Sequence, residues 1–188
     1  MMADESVIQR VTRLLQTASC RDRVPGIYVE GPFISPDKRG GVQEQYVRPV
    51  DLAYLDKLQS LAGGRIRMMT FAPELDGAEK LPAAMRKLGI LPCVGHSLAT
   101  AARSATVCGR GKVCCTHLYN AMSGLDHRTP GLAAFGLNHR QAYVELNPDG
   151  THVARDLLQI THRAKSADRI VLISDAVVSA GAEPGEYN

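Results

Sequence analysis

The sequence contains no tryptophan and only six tyrosines and three phenylalanines, too few rings to interleave with a basic surface. Its net charge is only +3 and its lysines and arginines are scattered, so nucleic acid is not an expected partner. Long apolar runs are also missing. With charges at Asp4, Glu5 and Arg10 near the start, neither a signal peptide nor a transmembrane helix is expected, and no membrane partner follows. The five cysteines, at positions 20, 93, 108, 114 and 115, are odd in number and lack CxxC spacing. That excludes a disulfide framework and a thiolate zinc site, and leaves reduced thiols in a cytoplasmic protein. No internal repeat or low-complexity tract occurs.

What remains is a chain of 188 residues with 45% apolar composition, enough for one soluble domain or part of a larger one. Val7, Ile8, Val11, Leu14 and Leu15 recur at helical spacing and predict an amphipathic helix. A short apolar run at 26–29, between Pro25 and Gly31-Pro32, predicts a strand that stops at Glu30. Residues 32–49 are rich in proline, glycine and charge, and read either as a functional loop or as a solvated one. Asp51 opens a helix marked by Leu52, Leu55 and Leu58; a strand at 65–72 follows, ending at Pro73-Glu74. Leu81, Met85 and Leu88 mark a helix closed by Gly89, with Pro82 required in its first turn. Next come a strand at 90–95, a small-residue helix near 99–108, a strand at 112–116, and a stretch punctuated by Gly and Pro at 123–136. A strand at 142–146, a helix carrying Val153, Leu157, Ile160 and Ala164, and a strand at 169–174 complete the order. Six strands alternating with helices imply a parallel sheet.

In a parallel sheet all strand carboxyl ends lie on one face, so residues distant in sequence meet there without a local motif. Glu30, His96, His117 and Asp175 each stand at such an end. Together they compose a hydrolase site for a hard cation. Singly, each has a plainer reading: a lone histidine is usually hydrogen-bonded structure, and an acid after a strand often caps the next helix.

Five segments, in this order, resemble the motifs of the N-acetylglucosamine-6-phosphate deacetylase family of the amidohydrolase superfamily. They are Gly26 to Phe33, Val94 to Ser97, Thr116 to Met122, Asp149 to His152 and Ser174 to Ala176. The resemblance covers nearly the whole chain and the middle of the family's protein. It implies a TIM-like (β/α)8 barrel of the metal-dependent amidohydrolase type, here incomplete with about six βα units. Residues 1–188 would be the central and C-terminal part of that barrel, without its first two strands and the flanking β-sandwich.

The resemblance also implies roles. Glu30, His96 and His117 would bind a divalent metal, zinc or else iron or another divalent ion, leaving positions open for water and substrate. Asp175 would be the general base that takes the water's proton and returns one to the departing sugar amine. Asn120, Ala121, His152 and Arg128 would receive the sugar phosphate, the arginine acting across a homodimer; by itself Arg128 reads as a surface residue. His127, His139 and His162 have no strand-end placement and read as surface histidines. The implied reaction is hydrolysis of the acetamide of N-acetyl-D-glucosamine 6-phosphate, in amino-sugar catabolism. Three positions depart from the pattern: Val42 stands where the family has a histidine beside the acetyl carbonyl, Pro148 precedes Asp149, and Thr129 precedes Pro130. The missing barrel strands and Val42 support a second reading, a shortened remnant that binds sugar phosphate or a protein partner and hydrolyses little.

Overall fold

The computed structural model describes residues 3–17, 21–176, 180–183 and 185. The strands are β1 (Ile27–Glu30), β2 (Ile66–Phe71), β3 (Leu91–Val94), β4 (Val113–Cys115), β5 (Ala142–Leu146) and β6 (Ile170–Leu172). The helices are α1 (Glu5–Thr17), α2 (Leu52–Leu61), α3 (Leu81–Lys87), α4 (Ala101–Cys108), α5 (Leu132–Asn138) and α6 (Arg155–Ala164). All six strands are parallel and lie in the order β1-β2-β3-β4-β5-β6. Sequential parallel strands joined by helical crossovers are the repeating unit of a TIM-like barrel, and the sheet is an incomplete barrel of that kind with β1 and β6 as its edges.

The register sorts the strand residues into two faces. Ile27, Val29, Met69, Phe71, Val94, Val113, Cys115, Ala142, Val144 and Leu146 belong to the apolar core shared with the helices. Packed into it are Leu55 and Leu58 of α2, Leu81 and Met85 of α3, Val107 of α4 and Leu132 and Phe135 of α5. The opposite face carries Tyr28, Glu30, Thr70, Cys93, Cys114 and Glu145, partnered through the pairs Glu30↔Thr70, Thr70↔Cys93, Cys93↔Cys114 and Cys114↔Tyr143. That polar face leads up to the site.

Local chemistry accounts for the boundaries. Asp51 caps α2 by accepting the Ala53 and Tyr54 N–H groups at 2.9 and 3.1 Å, and Thr100 caps α4 by accepting from Arg103 N at 3.1 Å. Pro82 lies in the first turn of α3, as its missing N–H requires. The predicted strands all appear, most of them trimmed by a residue or two at their ends. Where the sequence predicts only a punctuated stretch at 123–136, the structure begins α5 at Leu132 and carries it to Asn138; Ser123 Oγ accepts the Leu132 N–H at 2.8 Å at its start. Among the described residues no helix is long and apolar enough to cross a membrane.

Candidate metal centre at the sheet rim

The rim is built from residues held in an unusual backbone conformation. Among the described residues, the non-glycine positions with positive φ are His96 (47°), His117 (28°), Tyr119 (79°), Ala121 (48°) and Asp175 (50°). All follow β3, β4 or β6. A β-carbon makes this region unfavourable by about 1–3 kcal/mol unless the surroundings enforce it, and such residues gather at functional sites.

Two of them supply the centre. His96 follows β3 and His117 follows β4, and their Nε2 atoms lie 3.0 Å apart. Oε1 of Glu30, at the end of β1, lies 3.7 Å from His96 Nε2 and 3.4 Å from His117 Nε2. The ligand atoms of these three residues all fall within 4.8 Å of one another. Both rings are buried. His96 donates its Nδ1–H to the Lys38 carbonyl at 2.8 Å, which leaves the Nε2 lone pair pointing at the cluster. Among the described residues the buried Nδ1 of His117 has no hydrogen-bond partner, while its ring meets that of His96 edge-on with centroids 4.8 Å apart. A carboxylate oxygen and two imidazole nitrogens aimed at one point, two of them buried, form a donor set that fits a divalent cation of zinc or iron type.

The electrostatics agree with that convergence. Burial pushes the Glu30 carboxyl up, but its bonds to His117 and His96 outweigh this and hold it well below the usual carboxylate range. Burial favours neutral His117, yet Glu30 outweighs burial and raises it, with a further pull from Asp175.

Beneath the cluster runs a hydrogen-bonded layer that sequence reasoning missed. Tyr28 Oη bonds Thr116 Oγ1 at 2.8 Å and receives Thr70 Oγ1 at 3.2 Å, while the two threonine hydroxyls bond each other at 2.9 Å. Tyr28 donates to Glu145 Oε2 at 3.4 Å, and the same oxygen accepts the His117 N–H at 3.3 Å. The Glu145 backbone carbonyl takes the Leu118 N–H at 2.8 Å, so one residue of β5 holds the His117 turn twice. Glu145 is only 4% exposed, and burial raises its carboxyl pKa. The available signal was parity: Glu145 shares a strand face with Tyr143 and Asn147.

The other predicted residues distribute as follows. Asp175 lines the cleft that also contains Tyr28, Glu30, His117 and Glu145, with a volume of about 460 Å³. Asn120 and Ala121 follow His117 and are half-buried; the Ala121 carbonyl accepts the Ser97 N–H at 3.0 Å and so ties the two histidine turns together. His152 is exposed and its Nδ1 lies 2.6 Å from Asp149 Oδ2. Asn147 Nδ2 reaches His152 Nδ1 at 3.3 Å and donates to the Ser174 carbonyl at 3.0 Å, joining that loop to the Asp175 segment. Arg128 is exposed and bonded locally, its Nε donating to His127 Nε2 at 3.1 Å and its N–H to Asp126 Oδ1 at 2.8 Å. His139, expected at the surface, is half-buried: its ring packs against Phe135 with centroids 4.8 Å apart and planes tilted by 41°, and its Nε2 bonds the Gly109 carbonyl at 2.9 Å. The loop of residues 32–49 packs against the site, since a β-carbon on Gly40 would stand 3.4 Å from His96 Cε1. Val42 of that loop is buried.

No profile of a known protein family matches the chain. Individual relatives do. An N-acetylglucosamine-6-phosphate deacetylase from Bacillus subtilis (strain 168) is 35% identical over 162 residues, covering 86% of this chain and 41% of that protein. An N-acetylgalactosamine-6-phosphate deacetylase from Escherichia coli O157:H7 is 31% identical over 182 residues, covering 97% of this chain and 48% of that protein. In structure, an N-acetyl-D-glucosamine-6-phosphate deacetylase from Mycobacterium smegmatis, a substituted variant in complex with N-acetyl-D-glucosamine-6-phosphate, superposes with a TM-score of 0.90 at 30% identity; the match covers all of this chain and 49% of that one. The chain thus spans about half the length of the relatives it matches. Across this span the chain is similar in both sequence and fold to N-acetylglucosamine-6-phosphate deacetylases.

Proposed function

We propose that the protein hydrolyses the acetamide of N-acetyl-D-glucosamine 6-phosphate to glucosamine 6-phosphate and acetate, as part of a metal-dependent amidohydrolase barrel whose central and C-terminal portion is residues 1–188. The observation that carries this reading is the meeting of Glu30, His96 and His117 at the rim, with Asp175 lining the same cleft.

In this reading Glu30, His96 and His117 hold a divalent cation, most simply zinc. When bound, such an ion polarises the acetamide carbonyl and makes water a stronger nucleophile near neutral pH. The chain's own residues do the rest. Asp175 accepts the proton of the attacking water and delivers a proton to the departing amine, a transfer that needs an acid and base in one position. The amide of Asn120, the backbone at Ala121 and the imidazole of His152 supply donors to the sugar phosphate. Arg128, exposed and bonded within its own loop, would complete the phosphate set from a second subunit of a homodimer. The thiols fit a cytoplasmic setting: Cys93, Cys108, Cys114 and Cys115 are all free and buried.

A relative named for the galacto epimer matches over nearly the whole chain, so the N-acetylgalactosamine phosphate belongs in the test. Acetate release would be measured from both phosphorylated sugars and from unphosphorylated N-acetylglucosamine, with metal content determined on the same sample. Release from the gluco phosphate alone supports the proposal. Metal-loaded protein that releases no acetate from any of the three refutes it. Substitution of Asp175 by Asn keeps the shape but cannot accept the proton, so turnover falls by about 10² to 10⁴ while metal and sugar-phosphate binding persist.

A further inference from the structure

Glu74 follows β2 and is not among the residues that converge on the centre, yet its carboxylate is bonded to the turn that carries one of them. Its Oε1 accepts the Leu98 N–H at 2.5 Å and its Oε2 accepts the Ser97 hydroxyl at 2.7 Å. Ser97 Oγ in turn accepts the Ala99 N–H at 3.0 Å. These residues form the turn immediately after His96, whose φ of 47° persists only where the surroundings enforce it. Ser97 is fully buried, and its N–H and carbonyl bond Ala121 O and Ser123 N, both at 3.0 Å. Glu74 is itself fixed from behind, because Arg103 Nε donates to the carbonyl of Pro73 at 2.9 Å. One carboxylate therefore anchors the β3 turn, and through it the β4 turn bearing Asn120 and Ala121.

We infer that Glu74 is a positioning residue of the metal centre. Its two charge-assisted hydrogen bonds hold the left-handed backbone that aims His96 Nε2 toward Glu30 and His117. Groups outside the ligand set influence metal affinity by fixing how the ligands are oriented; here Lys38 O holds the His96 ring and Glu74 holds the backbone that carries it. The inference rests on reading Glu30, His96 and His117 as the ligand set, and its test separates the two.

The experiment titrates metal-free protein with Co²⁺, following the visible ligand-field band and competition with a chelator. The parent, Glu74→Ala, Glu74→Gln and His96→Ala would be compared, each checked for folding by circular dichroism. Glu74→Ala is expected to weaken Co²⁺ binding about 10 to 100-fold and to alter the band. Glu74→Gln keeps one carbonyl acceptor and replaces the other oxygen with a donor, so it should fall between the parent and Glu74→Ala. A role in general stability alone would lower the melting temperature and leave affinity and band unchanged in the folded protein; that result in both Glu74 variants overturns the inference. Should Glu74→Ala fail to fold, Glu74→Gln decides by the same criterion. A parent that binds no Co²⁺, or His96→Ala binding as the parent does, overturns the ligand assignment and this inference with it.

Discussion

Adding one methyl group at Gly95 tests how closely the layer beneath the candidate metal centre is packed. A β-carbon there would stand 2.8 Å from Thr116 Cβ, 3.2 Å from Thr116 Oγ1 and 3.3 Å from Thr70 Cγ2. Neither threonine has an easy escape. Both are essentially fully buried, β-branched side chains have few χ1 alternatives, and their hydroxyls bond each other and Tyr28. Overpacking of this sort costs about 1–3 kcal/mol, and a buried hydroxyl forced off its partner costs about 1–3 kcal/mol more. Gly95→Ala is therefore expected to lose on the order of 3 kcal/mol. Gly124→Ala, with nothing within 4 Å of its added carbon, is the control and should stay within about 0.5 kcal/mol. Because the chain lacks tryptophan, urea unfolding is best followed by far-ultraviolet circular dichroism. With slopes of about 1–3 kcal/mol/M, the Gly95→Ala midpoint should fall by about 1 M or more. A shift under about 0.2 M at an unchanged slope would show that the layer yields freely, and the argument for a packed network would fail.

Other outcomes follow from single observations. Val42 is buried, so Val42→His should cost stability by overpacking; by placing a donor beside the acetyl carbonyl it should also raise acetate release, an effect worth about 2.7–4 kcal/mol in favourable sites. Unchanged release from a folded, metal-loaded variant would refute that placement of the loop. The His152 N–H, the His152 ring and the Thr151 N–H hold the Asp149 carboxyl down at about 2, against an ordinary value of 3.8. A depressed acid stabilises the fold above its unfolded value, so this contribution is intact above about pH 3.8 and is lost as pH falls toward 2; a carbon-13 titration of Asp149 with a midpoint at 3.8 or higher would contradict the pairing. The edges at β1 and β6, with Val171 42% and Leu172 68% exposed, predict concentration-dependent association of this polypeptide by light scattering. A monomeric, cooperatively melting, highly soluble sample would count against it.

The strands were legible because each is a short apolar run stopped by a glycine, a proline or a polar residue. Once they alternate with helices, parallel geometry brings Glu30, His96, His117 and Asp175 to one rim without further information. Helix α5 was hidden by its own packing. Gly136 reads as a breaker, but the helix passes so close to β4 that a β-carbon there would come within 2.8 Å of Cys115 Sγ. Lys38 escaped notice because its contribution to His96 is a backbone carbonyl, which any residue type possesses. Glu145, Tyr28, Thr70 and Thr116 lie in or beside strands that read as apolar, and their function depends on cross-strand register, which composition does not encode. Glu74 was visible only as the acid after Pro73; its two bonds depend on how the β3 turn folds over it.

The loop carbonyl of Lys38 bonded to His96, and the three candidate ligands drawn from the ends of β1, β3 and β4, have a thermodynamic corollary. The donors span positions 30 to 117 and share no local segment, so an unfolded chain offers a cation only isolated side chains. A cation that binds the native rim and ignores the unfolded chain pulls the folding equilibrium by mass action, about 2.7 kcal/mol at a hundred times its dissociation constant. Occupancy and foldedness thereby become one variable: the unfolding temperature should climb with the logarithm of free metal, and a chelator should act on this protein as a mild denaturant.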